Sequence, residues 1–321
     1  MKTFKYYITI IICVIALNGG NILANDANDV IPLLEARINS ARIHTYPPEV
    51  KISEEQLRTA DPRQVLNLLG KYENDPCEPV RDRAYWQEVH FAKLRPEPWI
   101  KQEVVFRLAK ALIDPNTELG GRISSRLLSF TEKDFSPAAK ELIRQNLKTN
   151  NRKGETIMLV GVANIIEEQP RLEGLLIDEL AYQAEADKTG KMPWYFTLGW
   201  RAHLALARMG VKEDVDKCVG LIEQEIDNNK NWRLLHDLGY IRQPEAIESL
   251  KKYFLSDLKL PPMKPDGWGA ESYSRYIMPI LDENLSNFPI KQKKSRGFYT
   301  KEEIELCRKW MSEQKEWKII R

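Results

Sequence analysis

The chain has 321 residues, 43% hydrophobic and 29% charged, which is the balance of a folded chain and excludes an intrinsically disordered one. Its formal charge of +2 rests on Lys2 and Lys5. Without the first 24 residues, 46 basic side chains face 46 acidic ones, a neutral balance that speaks against nucleic acid as a partner.

In chain order, residues 1–24 read as a secretory signal peptide. Lys2 and Lys5 precede an uncharged, mostly apolar run from Tyr6 to Leu17, Asn18-Gly19-Gly20 breaks it, and Ala24 supplies the small residue at the cleavage site. The run of 12 residues is well short of the roughly 18–20 that span a bilayer, so stable membrane insertion after cleavage is not expected. Cys13 lies inside the run, away from the place of a lipid-attachment cysteine. Export to a periplasm or beyond leaves 297 residues with Cys77, Cys218 and Cys307, an odd and widely spaced set that implies no disulfide framework. Cys218 and Cys307 fall in apolar stripes, whereas Cys77 lies in the loop-like Asp75-Pro76-Cys77-Glu78-Pro79.

Residues 25–52 read as an N-terminal extension, partly disordered, and a helical domain is expected from 53 to 321. Ser53 with Gln56 makes a capping box, and Asp61-Pro62 an N-cap followed by proline at the first helical position. Helices follow over 80–94, through Val104 to Leu112, through Leu127-Leu128, and after Ser136-Pro137. Ile157 to Ile166 is apolar on nearly every side, as expected of an inner helix. Pro170 opens a helix with Leu172, Leu175, Leu176 and Leu180 spaced for one face. Two helix pairs come next, 194–209 with 211–226 and 232–241 with 244–258. The irregular loop 260–271 precedes helices near 272–285 and 300–315, the last opened by the Thr300/Glu303 capping box and acting as a C-terminal cap. No stretch alternates over strand length, so the fold class is all-α.

A shift of 32 residues brings Trp200-Arg201 onto Trp232-Arg233, Leu206 onto Leu238, Ala207 onto Gly239, Glu213 onto Glu245 and Cys218 onto Leu250. The segment from Leu238 to Leu250 and its counterpart from Leu204 through Gly210 to Val215 resemble short HEAT repeats of the phycobilisome-lyase type, most clearly over 194–258. The resemblance implies a right-handed stack of antiparallel helix pairs, a HEAT-like α-solenoid, and names no activity, since such repeats serve scaffolds, inhibitors and chaperone-like proteins as well as lyases.

No reacting constellation is legible. His44, His90, His203 and His236 have no partner at metal-ligand spacing, and no Cys-x-x-Cys, Gly-x-Ser-x-Gly or phosphate loop is present, so no metal, cofactor or catalytic residue is assigned. His203 and His236 read as structural histidines on core-bearing helices. Glu167-Glu168 and Asp178-Glu179 read as solvated faces because helical neighbours diverge by about 100°. Three features are candidate binding surfaces: Trp268 in the Pro/Gly loop, the cluster Met192-Pro193-Trp194-Tyr195-Phe196, and the basic run Lys291, Lys293, Lys294, Arg296. Each has a bland counterpart, as a plug of the stack, as core packing and as a solvated loop. The reading that follows is an exported, non-catalytic protein-interaction scaffold with a protein partner. The alternative is an α/α-barrel carbohydrate-active enzyme or sugar-binding protein, with Trp268 or Trp194 as a sugar platform.

Overall fold

A computed structural model describes residues 30–43, 50–114, 116–149, 153–229, 231–256, 273–291 and 299–321. Residues 1–24, expected to be a signal peptide, His44, residues 260–271 with Trp268, and Lys293, Lys294 and Arg296 lie outside the described residues. Among the described residues the fold is all-α, with no strand; Leu285 and Ile319 form an isolated antiparallel bridge. The chain divides into two units, Met1–Ile100 and Lys101–Arg321.

The first unit begins earlier than the helical signals of the sequence, inside the stretch expected to be an extension. Helix α1 (Val30–Asn39) buries Val30, Leu34 and Ile38 on one face, at the spacing of four that aligns side chains along a helix. It packs on α3 (Pro62–Gly70) and α4 (Glu78–Leu94), and α2 (Glu54–Thr59) also packs on α4. The expected Ser53 capping box and Asp61 N-cap both form. Arg95, just past α4, donates to the carbonyls of Arg58 and Ala60, which the end of α2 leaves without helical partners.

Helix α5 (Pro98–Ala111) carries the chain across the division. The second unit holds α6 (Thr117–Leu127), α7 (Pro137–Thr149), α8 (Lys153–Ala163), α9 (Gln169–Glu173) and α10 (Glu179–Thr189). It continues with α11 (Leu198–Met209), α12 (Lys212–Asn229), α13 (Leu235–Ile241), α14 (Pro244–Leu255), α15 (Tyr273–Asn284) and α16 (Lys301–Glu313). Packing links α8 to α11, α11 to α13 and α13 to α15; a second row runs from α12 to α14 to α16. α8 is indeed buried nearly all round, through Ile157, Met158, Leu159, Val160, Val162 and Ala163. Its close approach to α11 depends on Gly161, where a Cβ would stand 2.8 Å from the Ala205 Cα and 2.9 Å from its carbonyl oxygen.

Three expectations give way to tertiary contacts. The leucines from Leu172 to Leu180 do not share a helix: α9 ends at Gly174, and Asp178 starts α10 by accepting from the Ala181 N–H at 3.0 Å. The tryptophans at 194 and 232 sit in 3₁₀ turns ahead of α11 and α13, and Thr197 caps α11 through the Trp200 N–H. The matched tryptophans of the 32-residue shift therefore differ in role. Trp200 is fully buried and donates its indole N–H to Asp237 Oδ2 at 2.9 Å, joining α11 to α13, whereas Trp232 is half-buried against Tyr276.

Candidate functional site

Helix α10 is inverted relative to its hydrophobicity. It buries Glu179, 2% exposed, and leaves Leu180 65% exposed. Glutamate is almost never buried unless paired, so this reversal requires a specific partner. The partner is a closed polar cluster. His203 of α11 places Nδ1 2.5 Å from Asp214 Oδ1 of α12, and its Nε2 lies 2.9 Å from Glu179 Oε1 and 3.0 Å from Lys217 Nζ. Lys217 also meets Glu179 Oε2 at 2.6 Å. The imidazole thus stands between two carboxylates, with Nδ1 facing Asp214 and Nε2 facing Glu179 and Lys217. Charge therefore anchors α10, a task usually left to an apolar face.

Anchored this way, α10 and the turn that follows present apolar side chains outward. Met192 (63%), Phe196 (51%) and Leu198 (41%) join Leu180 as exposed large hydrophobic residues within 19 positions. The 3₁₀ turn Trp194–Phe196 packs on α10, and the Trp194 N–H donates to Gln183 Oε1 at 3.3 Å. Trp194 itself is buried, edge-on to Trp200 at 4.5 Å between ring centroids, so its ring faces are closed to a sugar. The cluster 192–196 is thus split: its tryptophan is core, its methionine and phenylalanine are surface.

A second feature lies between α8, α11, α13 and α15. A cavity of about 140 Å³ is lined by Arg208, Arg242, His236, Tyr240, Glu283 and Asn284, among others. A smaller one of about 50 Å³ shares Arg208 and Val162 and adds Glu132, Asn164, Gln243 and Arg321. Arg208 and Arg242 are both buried, and neither has a carboxylate in ion-pair range among the described residues. Each donates to a backbone carbonyl, Arg208 to Tyr240 at 2.8 Å and Arg242 to Ile320 at 3.0 Å. Burial, with Arg242 and Arg321 nearby, pulls Arg208 down to about 9; burial likewise lowers Arg242. The Tyr240 hydroxyl, raised by burial, donates to the Met158 carbonyl at 2.6 Å.

Other candidates fall as follows. Lys291 is the one member of the basic run within the described residues, and it caps α15 by donating to the Asp282 and Leu285 carbonyls, both at 3.0 Å. Glu168 and Glu179, expected on solvated faces, are buried: Glu168 pairs with Arg144 at 3.1 Å and Arg171 at 3.4 Å, and a carboxylate so compensated can leave water. His203 is buried as expected, whereas His236 is exposed at the larger cavity and is corrected from the structural reading. His90 stacks on Trp86 with centroids 5.2 Å apart. Cys218 and Cys307 are buried and Cys77 is half-buried, all three as free thiols. Among the described residues no group of three or more His, Cys, Asp or Glu is placed to hold a metal, and no helix is long and apolar enough to cross a membrane.

Arg208 and Arg242 escape the motif-based reading of the sequence. Arg208 stands in the otherwise apolar Leu204-Ala-Leu-Ala-Arg-Met209, and Arg242 falls 32 residues after Gly210, so an arginine occupies the position of the helix-ending glycine. Both are signals of a polar group drawn into a core. The fold and these surfaces define an all-α protein of packed helices. Comparisons with known protein families, with curated proteins and with solved structures find no match.

Proposed function

We propose that this chain is an exported, non-catalytic interaction scaffold, a HEAT-like α-solenoid that docks a partner protein on the platform formed by α10 and the following turn. The two rows of successive helices and the 32-residue shift support the repeat reading. The order of charge, apolar run, breaker and small residue at the N-terminus supports export.

The observation that carries the docking role is the reversal at 179–180, a buried glutamate beside an exposed leucine. Isolated surface leucines are ordinary, but an exposed cluster of large apolar residues marks an interaction site. Fixing α10 by the Glu179–His203–Lys217 cluster holds that surface in one conformation before contact, which lowers the ordering cost of association. The fitting partner is a protein with its own apolar patch, residing in the same compartment.

Site-specific photo-crosslinking tests this. A photoreactive residue at Phe196 is expected to capture one defined partner in the cell envelope, and Leu180→Lys on the same chain is expected to abolish the adduct. A probe at Leu306 on α16, exposed to a similar degree, serves as the control surface. Equal adducts from positions 196 and 306, adducts indifferent to Leu180→Lys, or capture only of a second copy of this chain would each overturn the reading.

A further inference from the structure

The larger cavity is lined by two buried arginines that make no ion pair with a carboxylate among the described residues, while Glu283 and Glu132 act on them from longer range. We infer that it is a binding site for a phosphate-type oxyanion, held between Arg208 and Arg242 and independent of the α10 platform.

Three observations converge on this. First, a guanidinium offers five N–H donors, yet among the described residues Arg208 and Arg242 each make one hydrogen bond to a main-chain carbonyl and no ion pair with a carboxylate. A buried charge is normally paired, and these two have only main-chain carbonyls, the Tyr240 ring at 5.8 Å from Arg208 and carboxylates beyond ion-pair range, which leaves room for a negative partner from outside. Second, the two non-glycine residues with positive φ among the described residues are Asn164 and Arg242, both at +51°, and both line these adjoining cavities. Backbone strain of this kind persists where the surroundings over-determine it, and it clusters at ligand sites. At the equivalent position one repeat earlier the chain uses Gly210, φ +92°, so the left-handed turn itself does not call for arginine. Third, the volume of about 140 Å³ is about ten times the roughly 10–15 Å³ that admits one water, enough for a tetrahedral ion. A hydrogen phosphate ion carries the negative oxygens that two arginines attract.

The donors also come from separate elements, Arg208 near the end of α11, His236 on α13 and Arg242 just past it. That dispersion suits an ion with oxygens in several directions better than a planar carboxylate, which one arginine satisfies by a bidentate contact. Two acidic side chains share the walls, Glu132 acting on Arg208 and Glu283 on Arg242. Glu132 lines the smaller cavity and accepts from Asn164 Nδ2 at 3.0 Å, while Glu283 is exposed at the larger one. Burial first, then the like charges of Arg242 and Arg321, pull Arg208 down, and an anion between the arginines would relieve the second of these.

The test is titration of the purified full chain with inorganic phosphate at constant ionic strength, read by calorimetry and by thermal midpoint, with chloride, acetate and sulfate as comparison ions. Phosphate is expected to raise the midpoint saturably, with sulfate weaker and chloride and acetate without effect. Arg208→Met and Arg242→Met are expected to weaken phosphate at least tenfold while circular dichroism stays native. Glu283→Gln, which removes the exposed opposing charge, is expected to tighten it. A glycerol 1-phosphate arm separates sources: tighter binding than inorganic phosphate identifies a phosphate monoester as the ligand, weaker binding the free ion. No saturable phosphate effect, an equal effect of chloride or acetate, or natively folded arginine variants that respond as the parent does would overturn the inference.

Discussion

At the residue scale, what distinguishes this chain is where it puts charge. His203 is the hub of the Glu179–Lys217–Asp214 cluster, and every member of that cluster depends on it for a contact. Substituting His203 with alanine removes a polar partner from two buried carboxylates and leaves Glu179 with Lys217 alone. Breaking a buried ionic group by removing one partner costs about 3–5 kcal/mol, far more than the lost side chain's apolar area alone. His203→Ala is therefore expected to lower unfolding free energy by that amount in urea titration. Hydrogen exchange in α10 is expected to accelerate more than in α14, because α10 has few other buried attachments. Stability within about 0.5 kcal/mol of the parent would show that the cluster does not anchor the helix. Cys218 and Cys307 make the contrast: burial pushes the Cys218 thiol well up and Cys307 up to about 12, as befits packing residues.

At the element scale, α8 and α11 pack backbone against backbone at Gly161. Gly161→Ala puts a methyl group into the Ala205 backbone and against the Tyr240 hydroxyl, itself bonded to Met158. Backbone cannot yield as a flexible side chain does, so about 1–3 kcal/mol of overpacking is expected, read as a lower denaturation midpoint at unchanged helicity. Gly220, where an added methyl would meet no atom within 4 Å, is the matched control; Gly220→Ala is expected to be neutral or stabilising through helix propensity. The elements themselves are mostly legible in the sequence, because capping chemistry is local. Ser53, Asp61, Thr300 and the Gly210 turn all act where their residue types place them. The leucine stripe of 172–180 is broken for a tertiary reason, because Glu179 seeks His203. Helix α1 escapes the pattern because its three buried contacts are spread thinly along a short helix. The candidate sites are less legible still. A lone arginine in a core acquires meaning from partners 32 or 78 positions away, and no pattern in one sequence displays those pairings.

At the scale of the second unit as a whole, the segment after α16 ties together the last elements of the two helical rows. Trp317 donates its indole N–H to Glu248 Oε1 at 2.8 Å, and the Ser286 N–H donates to the Lys318 carbonyl at 2.9 Å. The Ile320 N–H donates to the Asn284 carbonyl at 2.8 Å, and Arg242 reaches the Ile320 carbonyl. One short segment thus ties α14, α15 and the turn after α13 together. Each of these four bonds contributes about 1 kcal/mol net at most, and half-burial of Trp317 and Ile319 adds about 1 kcal/mol in all. Removing residues 314–321 is expected to cost about 3–5 kcal/mol, or roughly 10 °C in thermal midpoint for a unit of this size. The loss also uncovers the end of α15, so the same truncation is expected to speed exchange in α15 before α8, which lies at the far end of its helical row. Arg208 and Arg242 stay in the truncated chain while Arg321 leaves, so phosphate affinity is expected to survive the deletion in weakened form. Unchanged midpoint and exchange in α15 would mean that the helical rows hold their end without this closure.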